Sequence, residues 1–315
     1  MRTLFVYCLF AGAMTAQSLP MAGVLVDHVS RTIRLVVAQN DTVSAGHPRV
    51  REFDSAWVAP DGRTALLSKS GALYLVRRLD GAVPVWREFR EDGAAVARAA
   101  WSTDSSELAL YIPGQQKLEL WKKSPQGELR LAWEADLAGI GERVVSIAVG
   151  AESKEAFLAT QGRESGTLWI LQQNQPPRML MPLDKAGEMQ LADGALYVAD
   201  RGRNEVLRYT GWDAMPRVDT LMTAGHGLAD PVGFALLAEQ KKLVVASAGN
   251  SQLLVLDLRS SQIGEPVPLE TPPARLERLG AAPLFLLDAA SAAPARLFDA
   301  AGQKLLAMTG AAGAD

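Results

Sequence analysis

Charged and polar side chains concentrate in short segments between the apolar runs of this 315-residue chain. The densest is "DRGRNE", in which Asp200, Arg201, Arg203 and Asn204 combine both charge signs around a turn-forming glycine. We predict that these residues bind a polar ligand or a partner of mixed charge, with the two arginines suited to an anionic group. Loops between the repeated units add candidates to the same site: Asp54, Arg98, Arg143, Glu188, Asp230 and Arg275. The alternative interpretation is that these side chains are solvated and pair with one another.

The sequence does not indicate a catalytic centre. A Gly-x-Ser-x-Gly motif is absent, so nucleophilic hydrolysis has no support. His28, His47 and His226 lie in different units, and their spacing predicts no metal site. The single cysteine, Cys8, falls in the N-terminal segment, so the rest of the chain has no thiolate nucleophile and no disulfide. We expect no catalytic residue and no bound metal.

The elements that must position these residues recur along the chain. Units of similar layout return roughly every 40 to 50 residues. They begin at Ser55, Arg98, Val144, Ala186, Asp230 and Ala274, and a shortened copy opens at Ala22. Each unit contains short apolar runs bounded by turn residues, as in Pro60-Asp61-Gly62, and such runs predict β-strands. No long segment has a helical period, so we expect very little helix.

Four antiparallel strands at this period are typical of a β-propeller blade. One twisted sheet cannot bury both of its faces, whereas sheets stacked around an axis bury each face against a neighbour. This explains why the second and third runs of each unit are almost continuously apolar. Six full units and the shortened copy predict seven blades in an all-β fold. Six blades remain an alternative if the opening strands complete the last blade.

Several segments carry a family resemblance. "VAPDGRTALL" (58–67) and "WSTDSSELALY" (101–111) resemble the turn of bacterial YVTN and WD40-like propellers. "LYVADRGRNEVLRY" (196–209) resembles NHL and YVTN repeats, and "LLVLDLRSS" (253–261) is similar to the third strand of a WD40-like blade. The opening segment resembles a group of exported propellers found in acidobacteria. The resemblance implies the fold and points to no particular activity.

Enzymatic propellers suggest a second interpretation. Gluconolactonase-like propellers hold a central calcium through Glu, Asn and Asp, and the residues here that best match those types are Glu188, Asn250, Asp200 and Asp288. Their spacing matches no motif. The alternative function is therefore a metal-dependent hydrolase or lactonase-like enzyme with its site in the central funnel. A small-molecule binder without catalysis is the third alternative. The tryptophans lie mostly within predicted strands, which favours packing between blades over an aromatic binding rim.

The N-terminus has the layout of a secretory signal peptide. Arg2 precedes an apolar stretch from Leu4 to Phe10, and small residues follow. That stretch is shorter than the about 20 residues that cross a bilayer. We predict a signal peptide at 1–18, one propeller domain at 19–310 and a flexible tail at 311–315. The protein is then secreted or periplasmic.

Composition limits the partners. A net charge of −3, without clustered basic residues, argues against nucleic acid. We expect a monomeric, secreted, non-catalytic scaffold that binds a protein or polymer of the cell envelope through its loops.

Overall fold

The computed structural model describes residues 21–39, 42–90, 94–150, 154–237, 239–288 and 294–309. Within these ranges the chain is all-β, and only two single 3-10 turns interrupt the strands, at Pro113–Gln115 and Ala224–His226. None of the helical segments described is long and apolar enough to cross a membrane. The predicted signal peptide with Cys8 and the predicted tail lie outside the described residues.

Four sheets are antiparallel and contain four strands each, in which neighbours in sequence are neighbours in space. The first two are β4 Ser55–Val58, β5 Thr64–Lys69, β6 Ala72–Arg77 and β7 Val85–Arg90, then β8 Arg98–Trp101, β9 Glu107–Ile112, β10 Lys117–Lys123 and β11 Leu129–Asp136. The next two are β12 Arg143–Val149, β13 Glu155–Gln161, β14 Gly166–Gln172 and β15 Arg178–Leu183, then β16 Ala186–Ala192, β17 Ala195–Asp200, β18 Glu205–Thr210 and β19 Arg217–Met222. The predicted repeat of four-stranded units is confirmed in this part of the chain.

A fifth sheet has a divided outer strand. It comprises β20 Pro231–Leu237, β21 Lys242–Ser247 and β22 Gln252–Asp257, with the short β23 Gln262–Ile263 and β24 Val267–Pro268 both paired to β22. The fourth run of this unit is therefore interrupted, which agrees with its weak apolar pattern.

The two ends of the described chain share one mixed sheet. Its strands are β1 Met21–Asp27, β2 Thr32–Gln39 and β3 Thr42–Arg51 from the start, and β25 Glu277–Arg278, β26 Leu284–Leu286, β27 Ala295–Asp299 and β28 Lys304–Thr309 from the end. The two halves meet where β28 runs parallel to β3, with Met308 opposite Val43. This join covers two outer strand edges that would otherwise be free to pair with another chain.

The hydrophobic core is divided among the spaces between sheets. Within the described residues there are seven clusters, and consecutive sheets share one each around a closed path. Two of them flank the opening strands: Val24 and Ile33 pack with Leu67, whereas Leu25 and Val36 pack with Leu297. Second strands are buried on both faces because each sheet lies between two others, so β17 is buried along its whole length.

The turn after β4 shows how the sequence builds a hairpin. Gly62 has a φ of 67°, a region that glycine enters without strain. The Asp61 carboxylate accepts hydrogen bonds from the amides of Arg63 and Thr64 at 2.7 and 3.0 Å. The amide of Asp61 in turn donates to Ser105 Oγ, in the corresponding turn of the next sheet, at 2.9 Å. The recurring turn residues therefore also connect neighbouring sheets.

Gly23 allows β1 to lie against Leu279, just after β25, and its replacement is a test of that contact. A Cβ at position 23 would collide with the backbone of Leu279, whose carbonyl accepts the hydrogen bond from the Val24 amide. We expect Gly23→Ala to lower the melting temperature by roughly 3 to 10 °C, because overpacking costs about 1–3 kcal/mol. Gly139→Ala is the matched control, since a Cβ there meets no atom within 4 Å. Equal melting temperatures for the two variants would show that β1 does not close against this sheet.

Candidate functional site

A central channel runs between the sheets. Its larger cavity, of about 660 Å³, is lined by residues from every first strand: β1, β4, β8, β12, β16, β20 and β25. A second cavity of about 420 Å³ adjoins it. Both cavities are bordered by Pro60, Trp101, Glu188, Glu277 and Arg278, so these residues lie at the junction of the two.

The predicted candidates gather at one end of the channel, here called the loop face. Antiparallel pairing puts the starts of the first strands β4, β8, β12, β16, β20 and β25 at the same end as the loops between second and third strands. The turns between first and second strands lie at the opposite end, the turn face. The turn between β1 and β2 is the exception. It belongs to the loop face, because Arg31 lies 3.7 Å from the Asp54 carboxylate.

Asp200 is the structural centre of its loop. Its side chain is fully buried at the end of β17. Its carboxylate accepts hydrogen bonds from four backbone amides, those of Asp184, Lys185, Gly202 and Arg203, at 3.0 to 3.2 Å. A buried carboxylate with four amide donors orders the loop around it, so the main role that the structure shows for Asp200 is structural.

The remaining residues of this loop pair with nearby groups. Arg201 makes a bidentate contact with Asp230, at 2.8 and 2.9 Å. Asn204 accepts a hydrogen bond from the Asp230 amide at 2.6 Å. The guanidinium of Arg203 lies 3.4 Å from Asp184. The interpretation that these side chains pair with one another is therefore correct for Arg201, Asn204 and Asp230, and the result is a rigid charged rim beside the channel.

Arg98 and Arg143 differ from the rest of the set. They are the first residues of β8 and β12, on neighbouring sheets, so they begin strands where the sequence analysis placed them in loops. Arg98 donates to the Val144 carbonyl at 3.2 Å. Burial and the positive charge of Arg143 lower the pKa of Arg98. Among the described residues neither guanidinium has a carboxylate within ion-pair distance.

Asp54 and Arg275 complete the predicted set. Asp54 accepts a hydrogen bond from the Ser70 amide at 2.8 Å, which closes the loop between β5 and β6. Arg275 lies just before β25 and pairs with Glu277 at 2.7 Å, beside the channel. Each of these two residues therefore has a local partner.

Glu188 faces the channel from β16, again within a strand and not in a loop. No hydrogen-bond partner of its carboxyl group is found among the described residues. The group is reached by water yet surrounded by channel walls, so its charged form is poorly solvated. The Glu188 side chain is exposed to the channel. The poor solvation of its charge between the channel walls and the nearby Glu277 carboxylate raise the pKa of Glu188 to about 8. Glu188 is thus the one predicted residue that presents an unsatisfied acidic group to the channel.

The four side chains considered for a central calcium do not meet. Asp200 is held by backbone amides, and Asp288 is held by Arg296 at 2.6 to 2.9 Å. Asn250 contacts Ser247 and the Gly227 carbonyl, whereas Glu188 faces the channel. In the part of the chain that the structure describes, no group of three or more acidic, histidine or cysteine side chains is placed to hold a metal ion. These four side chains therefore do not form a joint calcium site in the described part of the chain.

Sequence reasoning missed several residues of the channel wall. Trp57 and Trp101 both border the larger cavity, and the indole nitrogen of Trp101 donates to the Trp57 carbonyl at 3.0 Å. Their strand context favoured packing between sheets, which they also provide. Glu277 and Arg278 were missed because β25 has only two residues and leaves almost no strand pattern. The shared position of Trp57 and Trp101, at the start of successive units, was the signal available for the tryptophans.

Comparison with known proteins supports the fold alone. No protein-family model matches the chain, and no curated protein matches it. A chain in the crystal structure of a nidogen/laminin complex superposes with a TM-score of 0.51 and 14% identity, over 78% of this chain and 92% of that one. A functionally unknown protein from Desulfotomaculum acetoxidans DSM 771 gives the same TM-score and identity, over 79% and 84%. The similarity to these structures and the blade-like sheets together indicate a β-propeller-like fold.

Proposed function

We propose that the chain forms a seven-bladed propeller of the YVTN, NHL and WD40-like type. Seven first strands border the channel, and seven core clusters separate the sheets. In this interpretation the mixed sheet is two blades joined at their outer edges by the parallel pairing of β3 with β28. The opening blade then has three strands, and β1 takes the innermost position.

The function that the site supports best is non-catalytic binding of an acidic partner on the loop face. The observation that carries it is the pair Arg98 and Arg143, two neighbouring guanidiniums that no described carboxylate neutralises. Like charges placed together lose stability unless an anion binds between them, and guanidinium groups suit carboxylate and phosphate groups.

The rest of the loop face supports this role by being rigid. Asp200 orders one loop through four backbone amides, and the Arg201–Asp230 pair links that loop to the start of β20. A surface that is ordered before binding loses little conformational entropy on association. The chain is then a preorganised scaffold that presents two guanidinium groups without a carboxylate partner among the described residues.

The partner and the compartment follow from the N-terminal pattern. If residues 1–18 direct export, the mature protein works in the periplasm or outside the cell, and its partner is an acidic protein or polymer of the cell envelope. The mature chain has no cysteine to be oxidised there, so its stability comes from the packed sheets.

The two arginines can be tested against a matched pair. We expect a variant with Arg98→Gln and Arg143→Gln to bind the envelope partner, or polyglutamate as a defined acidic polymer, at least about tenfold more weakly, because each charge-assisted hydrogen bond contributes about 1.5–3 kcal/mol. The measurement is a titration at low and high salt, since a charge-based contact weakens as salt rises.

The control carries Arg130→Gln and Arg259→Gln. It removes the same charge from two exposed arginines on β11 and after β22, away from the loop face. We expect it to bind as the wild type does. If both double variants lost affinity equally, only net charge would matter. If both kept the wild-type affinity, the loop face would not bind acidic groups. Either result contradicts the proposal.

A further inference from the structure

We propose that the central channel is a binding site for a small organic cation, whose ammonium group lies between the Glu188 carboxylate and the indole rings of Trp57 and Trp101. Arg98 of the loop-face pair also borders the larger cavity of the channel, but the cation site rests on Glu188, Trp57 and Trp101 and does not depend on the loop-face proposal.

The channel brings the three side chains together. Glu188, Trp57 and Trp101 all border the larger cavity, and Trp101 and Glu188 also border the smaller one. The hydrogen bond from the Trp101 indole to the Trp57 carbonyl fixes the position of that ring. Indole rings attract cations electrostatically, and a carboxylate beside them supplies the full opposite charge. Cavities of about 660 and 420 Å³ are of the size that holds small ligands.

The charges around the channel leave one carboxyl group available. Glu277 is neutralised by Arg275 at 2.7 Å. Of the cations that line the channel, Arg201 pairs with the Asp230 carboxylate. Arg278 donates to the carbonyls of Gly280 and Ala281, and Arg98 donates to the Val144 carbonyl. No contact of this kind is found for Glu188 within the described residues. A cation that enters the channel would supply the partner that the Glu188 carboxylate lacks.

The neighbouring strand β20 has a glycine where it passes the Glu188 carboxyl group. A Cβ at Gly233 on β20 would lie 3.2 Å from Oε2 of Glu188, and closer still to the Leu276 backbone. Any larger residue at position 233 would therefore press on the carboxyl group and on β25. Gly233 therefore leaves room for the Glu188 carboxyl group beside Leu276.

The protonation state of Glu188 makes cation binding in the channel depend on pH. Its pKa of about 8 means that the group is mostly neutral at pH 7 and must lose its proton to bind a cation. The titratable and charged groups that face it are Glu277, Arg275 and Arg278 at β25, Arg98 on β8, Arg201 after β17 and His28 after β1. Binding of a permanent cation should therefore release a proton at neutral pH and strengthen as the pH rises.

The experiment is calorimetric titration of the mature protein with tetramethylammonium, whose charge does not change with pH. We expect the affinity to rise about tenfold per pH unit between about pH 6 and pH 7.5 and to level off near about pH 9. Proton release should appear as a dependence of the measured heat on the ionisation enthalpy of the buffer. The uncharged analogue tert-butanol should bind at least about tenfold more weakly at about pH 9.

Two variants decide whether Glu188 is responsible. Glu188→Gln should abolish the pH dependence and the proton release, and weaken binding at least about tenfold at about pH 9. Glu164→Gln, at an exposed position of the loop between β13 and β14, should behave as the wild type. Folding of the first variant is checked by its melting temperature. The melting temperature of Glu188→Gln, relative to that of the wild type, should rise as the pH increases from about 6 to 9, because the variant lacks the poorly solvated charge that wild-type Glu188 acquires.

Three results would overturn the proposal. The first is binding of tetramethylammonium that does not change with pH, and the second is equal binding of tert-butanol. The third is stabilisation by Ca²⁺ at sub-millimolar concentration with no effect of tetramethylammonium, which would assign the channel to a divalent metal.

Discussion

Leu66→Asp is expected to prevent the protein from folding. Leu66 lies in β5 with 0% of its surface exposed. It packs with Leu73, Leu108 and Leu110 between the sheet β4–β7 and the sheet β8–β11. An aspartate there has neither water nor a cation as partner, so the variant either buries an unpaired charge or opens the sheets. The cost, about 4–5 kcal/mol or more, is a large part of the stability of a typical domain. Circular dichroism and thermal melting of the purified variant measure the effect.

Leu131→Asp is the matched control for this substitution. Leu131 lies on the outer strand β11 and is 47% exposed, so an aspartate at that position stays in water. We expect its melting temperature to fall by no more than about 3 °C. If Leu66→Asp melted close to the wild-type temperature, β5 would not be buried between two sheets, and the packing described for the whole ring would be wrong.

Asp200→Ala is expected to cost about 3–5 kcal/mol of unfolding free energy. The substitution leaves four backbone amides without their acceptor at a fully buried position, and each unsatisfied group costs about 1–3 kcal/mol, reduced where water enters. The loop face should lose order together with stability. Denaturant unfolding and amide hydrogen exchange of residues 184–203 measure the two effects.

Asp184→Ala is the control in the same loop pair. The Asp184 side chain is 57% exposed, and within the described residues its carboxylate pairs with Arg203 alone, at 3.4 Å, so its removal should cost less than about 1 kcal/mol. A small cost for both substitutions would mean that Asp200 does not organise the loop face, and the residue would again become a candidate for direct ligand contact.

The sequence predicted the architecture well because strands and turns are local signals. Apolar runs such as Ala195–Ala199 and Leu253–Leu256 lie within β17 and β22, and Pro60-Asp61-Gly62 forms the predicted turn. The period of the repeat then implied sheets that bury both faces. What could not be predicted is how the chain ends meet, since a parallel pair between β3 and β28 depends on residues about 260 positions apart.

The site was predicted less completely, because the charge of a side chain does not reveal which group in the folded chain pairs with it. Asp200 and Arg201 have the composition of a binding loop. However, the Asp200 carboxylate accepts a hydrogen bond from the Gly202 amide, and Arg201 pairs with Asp230. Glu188 and Arg98 were predicted as loop residues, whereas Arg98 begins β8 and Glu188 is the third residue of β16, and both strands face the channel. Which charges lack a partner depends on contacts between units, and those contacts carry no pattern in the sequence of any one unit.

Crosslinking shows most directly whether the partner binds at the loop face or at the turn face. An amine-reactive crosslinker is added to the envelope fraction, where the proposed export places the protein. Residue-resolved mass spectrometry then reports which lysines lie beside a partner. Lys69 and Lys185 lie at the loop face, whereas Lys154 and Lys241 lie in turns of the turn face. We predict stoichiometric crosslinks from Lys69 and Lys185 to one acidic partner, lost with Arg98→Gln and Arg143→Gln. Crosslinks from Lys154 and Lys241, retained in that variant, would contradict the account.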